Sequence, residues 1–130
     1  MRRILLIDDE EKIRSVLQTL LTRAGYEVVP AEDGQKGLRR FREQPMDLVI
    51  TDIVMPDKEG LSTIRELHRD FPKLPIIALS GGGVAAGAEA YLNIAQKLGA
   101  RRVFEKPVEF PVLLQAVQEL LSQAGQPAPT

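Results

Sequence analysis

The chain has no cysteine, no tryptophan and a single histidine, His68. Without cysteine there are no disulfides, no thiolate metal centres and no thiol nucleophile. One histidine excludes clustered-imidazole zinc sites and leaves little room for Ser-His-Asp hydrolysis. Beside Arg69 and Asp70, His68 reads as a solvent-facing helix residue. Aromatic residues are scarce, four Phe and two Tyr, a poor set for sandwiching a flavin ring. Neither sign of charge dominates, with 17 basic against 18 acidic residues, so the basic footprint of a nucleic-acid-binding domain is missing. The pairs Arg39-Arg40 and Arg101-Arg102 read as solvated faces. Long apolar runs are missing too. After Met1-Arg2-Arg3 only Ile4–Ile7 is apolar before Asp8, short of both the ~20 residues of a membrane span and the ~7–15 of a signal-peptide core. The expectation is a cytoplasmic protein without membrane contact and without direct nucleic-acid binding.

What is present is ordinary globular composition. The 130 residues are 44% apolar and 27% charged, enough for one domain with one folded unit's core. Ile4-Leu5-Leu6-Ile7 reads as a strand buried on both faces. Ile13, Val16, Leu17, Leu20 and Leu21 then recur at helical spacing, and Gly25 closes that helix. The alternation continues. Val28-Val29 is a strand closed by Pro30, and Leu38 and Phe41 mark a helix. Leu48-Val49-Ile50 is a strand leading to Thr51-Asp52, followed by a helix carrying Leu61, Ile64, Leu67 and Phe71. Ile76–Leu79 is a strand ending at Ser80, and residues Ala88 to Leu98 form a helix capped by Gly99. Val103-Phe104 is a strand leading to Lys106-Pro107, and Leu113, Val117, Leu120 and Leu121 lie on the last helix. Five such units predict an α/β fold, a doubly wound open five-stranded parallel sheet with helices on both faces. Residues 1–122 form the domain. Residues 123–130, polar, small and proline-bearing, read as a flexible tail or linker stub.

In such sheets ligands bind outside the carboxyl ends of the strands. Those ends carry Asp8, Asp9 and Glu10 after the first strand, Asp52 after the third, Ser80 after the fourth and Lys106 after the fifth. Each alone has a plain reading: Asp9 or Glu10 as a helix cap, Asp52 as a turn former, Ser80 as a loop hydroxyl, Lys106 as a surface lysine. Together they point elsewhere. Carboxylates crowded into one crevice repel unless a cation neutralises them. Oxygen donors without His or Cys select Mg²⁺ or a similar hard ion. A lysine opposite supplies a second positive charge for a phosphoryl group. The set suits phosphoryl chemistry, with Asp52 as candidate nucleophile.

Four segments, Ile7-Asp8-Asp9-Glu10, Asp52-Ile53-Val54-Met55-Pro56 with Gly60, Leu79-Ser80 and Lys106-Pro107, resemble the receiver domain of bacterial two-component response regulators. The resemblance runs from Arg3 to about Leu121. It implies a (βα)5 flavodoxin-like sheet with strand order 2-1-3-4-5. It also implies that Asp52 accepts a phosphoryl group from a sensor histidine kinase or phosphotransfer protein. Asp8, Asp9, Asp52 and the backbone carbonyl of Val54 would hold Mg²⁺, and Ser80 and Lys106 would contact the phosphoryl group. The Lys106–Pro107 peptide bond would be cis. The output would be altered binding of a downstream effector or output domain. The chain would not be an enzyme beyond its own phosphorylation and dephosphorylation. Two features depart from the family. Val103 stands where Phe or Tyr is usual, with Phe104 one residue later on the opposite face of the strand. The stretch from Ser80 to Lys106 is longer, with the excess near Gly81-Gly82-Gly83, read here as a mobile loop. Two rivals remain at this point: a Mg²⁺-dependent aspartyl phosphohydrolase and a pseudo-receiver that binds partners without being phosphorylated.

Overall fold

A computed structural model describes residues 1–53, 59–81 and 88–124. The chain alternates β1 (Arg3–Ile7), α1 (Glu11–Arg23), β2 (Glu27–Ala31), α2 (Gly34–Glu43), β3 (Leu48–Asp52), α3 (Glu59–Asp70), β4 (Ile76–Ser80), α4 (Ala88–Leu98), β5 (Arg102–Glu105) and α5 (Phe110–Ala124). All four strand pairings are parallel, in the order β2-β1-β3-β4-β5. This is the doubly wound sheet that the alternating pattern predicts.

Successive strand residues point to opposite faces, and the sheet divides its apolar residues accordingly. Leu5, Ile7, Val49, Ile76 and Ala78 pack with Phe41 of α2, Ile64 and Leu67 of α3 and Ala95 of α4. Ile4, Leu6, Leu48, Ile50, Ile77 and Leu79 pack with Leu17 and Leu21 of α1 and Leu113, Val117 and Leu120 of α5. Both faces are covered, which is why β1, β3 and β4 read as continuous apolar runs. On β5, Val103 packs with the first group and Phe104 with the second. The only aromatic side chain of β5 therefore lies under α1 and α5.

Two elements extend beyond their sequence-based limits. β2 continues through Pro30, whose register partner is Leu6. An edge strand has one row of N–H groups with no ladder partner, so a missing donor is tolerated there. α5 starts at Phe110, with Pro111 in its first turn, where backbone N–H groups have no intrahelical acceptor anyway. It runs on to Ala124, past Gln123, where the sequence suggests the tail begins.

Gly99, with φ +130°, ends α4 in a conformation that side-chain-bearing residues rarely adopt. A Cβ there would also overlap the side chain of His68. His68 is solvent-exposed, as expected, yet it lies against this glycine and so ties α3 to the turn before β5.

Candidate functional site

The strand order places β1 and β3 side by side at the centre, where the chain reverses its winding direction, the usual ligand-binding edge of such sheets. Asp8 follows β1 directly and is fully buried, and Asp52, the last residue of β3, is 2% exposed. Asp9 and Glu10 are exposed. One oxygen from each of these four carboxylates lies within 4.8 Å of the others.

Lys106 reaches this cluster from the end of β5. Its Nζ donates to Asp8 Oδ2 at 2.7 Å and to Asp52 Oδ2 at 3.1 Å, and stands 3.9 Å from Glu10 Oε1. Burial works against its charged form, but the hydrogen bond to Asp8, the charges of Asp52 and Asp8 and the hydrogen bond to Asp52 outweigh that. The lysine pKa is raised and the ammonium is held protonated. The Lys106–Pro107 bond is cis. Lys106 N donates to the Ser80 carbonyl at 2.7 Å, so β4 and β5 present Ser80 and Lys106 next to one another.

Asp8 is tightly positioned. Its second oxygen, Oδ1, accepts from Glu10 N at 2.9 Å. Its N–H donates to the Ala31 carbonyl at 3.1 Å, and its own carbonyl accepts from Arg14 Nη1 at 2.7 Å. Arg14 is a positioning residue that the sequence reading passed over. The signal was a cation one turn into α1, able to reach back to the end of β1. Gly60 is a second positional requirement. In the first turn of α3, a Cβ would overlap the Asp52 carbonyl oxygen and the Ile53 Cα. Both are backbone atoms of the segment that carries Asp52, so only glycine lets α3 approach so closely.

Ser80 Oγ is buried and has no hydrogen-bond partner among the described residues. Such an orphan costs about 1–3 kcal/mol and marks a place where an acceptor belongs. Gly81 follows, and a Cβ there would meet nothing within 4 Å. Val54, Gly82 and Gly83, also singled out from the sequence, lie outside the described residues.

The donor set fits a hard divalent cation. Four carboxylates face one lysine, all donors are oxygen, and two of the acids are open to solvent. Beside the cluster, a pocket of about 570 Å³ opens between α1 and the turn after β5. It is lined by Ile13, Val16, Leu17, Leu79 and Val108 and by the charged side chains of Glu10, Lys12, Glu105 and Lys106.

Comparison with known proteins agrees with this geometry. The family model described as "Response regulator receiver domain" matches residues 4–118. The chain is 32% identical over 120 residues to the chemotaxis protein CheY of Thermotoga maritima, covering 92% of this chain and 97% of that protein. It is 35% identical over 122 residues to the transcriptional regulatory protein GlrR of Escherichia coli, covering 94% of this chain but 27% of that protein. The chain thus spans about a quarter of the length of this longer relative. Among solved structures it matches the response regulator protein TrrA of Thermotoga maritima in complex with Mg²⁺-BeF. The TM-score is 0.80 at 32% identity, covering 92% of this chain and 99% of that one. An acidic crevice at the centre of a 2-1-3-4-5 sheet, a lysine bridging its two buried acids and a family match over nearly the whole chain lead to one conclusion: this chain belongs to the receiver domain family of two-component response regulators.

Proposed function

We propose that Asp52 is the phosphoacceptor of this domain and that its phosphorylation switches the binding of a partner. The observation that carries this reading is the Lys106 ammonium bridging Asp8 and Asp52 inside a four-carboxylate cluster. An oxygen of Asp52 attacks the phosphorus of a phosphohistidine on a sensor kinase or phosphotransfer protein. The O–P bond forms, the P–N bond breaks, and the electron pair leaves on the imidazole nitrogen. Lys106, already charged, then moves from pairing with carboxylates to pairing with a phosphoryl oxygen. The orphaned Ser80 hydroxyl is the available donor for another of those oxygens.

Asp8, Asp9 and Asp52 are the side chains to hold Mg²⁺, with the Val54 carbonyl the additional ligand expected from the family. When bound, the ion offsets negative charge on the transferring group. The signal would pass from Ser80 into the segment before α4. Val103, packed against the core on the α4 side of the sheet, offers no ring to rotate. The output is a change in the binding of a downstream effector or attached output domain, in the cytoplasm, with no turnover beyond the domain's own phosphorylation and dephosphorylation. Residues 1–122 suffice for this role. No helix of the described residues is long and apolar enough to cross a membrane.

Intact mass after incubation with Mg²⁺ and a small phosphodonor tests the reading. One added phosphoryl group is expected, absent in Asp52→Asn. No mass gain in the wild type would make the domain a pseudo-receiver. Continued consumption of a phosphoester well beyond one equivalent would make it a phosphohydrolase.

A further inference from the structure

Glu10 is the one acid of the cluster that the phosphoacceptor reading leaves without a task. It is the N-cap residue of α1, yet its side chain makes no capping hydrogen bond. Its backbone N–H is fixed on Asp8 Oδ1, which holds the carboxylate at the mouth of the crevice. There it is 60% exposed and 3.9 Å from Lys106 Nζ. The lysine already bonds two buried acids at shorter range. The lysine charge is thus largely committed to those acids, and the Glu10 carboxylate lines the pocket beside the cluster together with Lys12, Glu105 and Lys106.

We propose that Glu10 is a specificity-determining residue that selects phosphodonors by charge, disfavouring dianionic acyl phosphates relative to donors of lower charge such as phosphoramidates. The proposal rests on Asp52 being the phosphoacceptor. Both donor types form the same O–P bond to Asp52. With acetyl phosphate the P–O bond breaks and acetate leaves with the electron pair. With phosphoramidate the P–N bond breaks and the nitrogen leaves as ammonia. At neutral pH the first donor carries one more negative charge than the second. A fixed carboxylate at the mouth must therefore repel the first more strongly.

The test is the ratio of phosphorylation rates with acetyl phosphate and phosphoramidate, followed by intact mass at saturating Mg²⁺. Any change in metal occupancy is common to both donors and cancels from the ratio. Glu10→Gln keeps the shape and removes the charge. It should raise the acetyl phosphate to phosphoramidate ratio about threefold at low ionic strength, the effect of one unit charge at roughly 7 Å through water. In ~1 M salt, where the screening length is about 3 Å, the wild-type ratio should rise until it matches that of Glu10→Gln. Glu11→Gln, one residue further along the helix and outside the cluster, should leave the ratio unchanged. Equal changes with both donors in Glu10→Gln would overturn the proposal and make Glu10 a metal-site or structural residue. A ratio shift that survives high salt would overturn it in favour of shape. Absence of any phosphorylation in the wild type would instead overturn the assignment of Asp52 itself.

Discussion

The Lys106 ammonium carries the charge balance of the site. Asp8 and Asp52 are 0% and 2% exposed, and Lys106 9%. Its ammonium makes the 2.7 Å and 3.1 Å contacts that neutralise them. Lys106→Met keeps most of the stem volume and removes the charge, leaving two buried carboxylates facing one another. Breaking a buried pair in this way costs about 3–5 kcal/mol, and the edge position of Lys106, which lets water in, argues for the lower figure. For a domain of this size ~3 kcal/mol lowers the melting temperature by about 10 °C. Asp52→Asn perturbs the same contact from the other side with the opposite result. Lys106 keeps Asp8, one like charge is gone, and the melting temperature should equal or exceed that of the wild type. The double variant should be more stable than Lys106→Met alone, with a coupling of about 1 kcal/mol or more. Roughly 10 mM Mg²⁺ should recover part of the loss in Lys106→Met by replacing the missing positive charge. Thermal unfolding by circular dichroism, with and without Mg²⁺, reads all of these. A Lys106→Met protein melting within about 2 °C of the wild type, or an Asp52→Asn protein falling equally far, would refute the electrostatic account.

Three other predictions follow from particular contacts. Mg²⁺ should raise the wild-type melting temperature, and Asp9→Ala should abolish most of that rise while leaving the metal-free melting temperature nearly unchanged, because Asp9 is exposed. Gly60→Ala should impair stability and phosphorylation together, by ~1–3 kcal/mol in urea melts, since the added methyl meets backbone beside Asp52; a variant with wild-type values for both would show that α3 yields freely. Asp70 on α3, hydrogen-bonded by Arg69 and by Arg42 of α2, has its carboxyl lowered from 3.8 to about 2. A depressed folded-state pKa stabilises above the unfolded value and is lost as pH falls through the folded one. The stability gap between wild type and Asp70→Asn should therefore be full at pH 6 and close between pH 4 and pH 2, as read by urea midpoints.

The sequence by itself determined the fold class. Apolar runs of three or four residues alternating with amphipathic helices bury as two-faced strands, and helices with one apolar stripe cover them, so Ile4–Ile7, Leu48–Ile50 and Ile76–Leu79 dictate the layers. The site's membership was also legible, because parallel strands bring all their carboxyl ends to one edge. That is why Asp8, Asp52, Ser80 and Lys106, up to 98 positions apart, can be grouped from the sequence. Local chemistry at the margins was less legible. Pro30 looked like a boundary, and only edge placement in β2 makes it tolerable inside an element. Tertiary structure alone decided which acids are buried and paired and which face solvent. Asp8 and Asp9 are neighbours in sequence, but the first continues the line of β1 into the lysine and the second turns outward. It alone set the burial of the unpartnered Ser80 hydroxyl, the reach of Arg14 back to the Asp8 carbonyl and the need for glycine at position 60. Each of these depends on distances of a few ångströms between segments far apart in the chain, which side-chain periodicity does not encode.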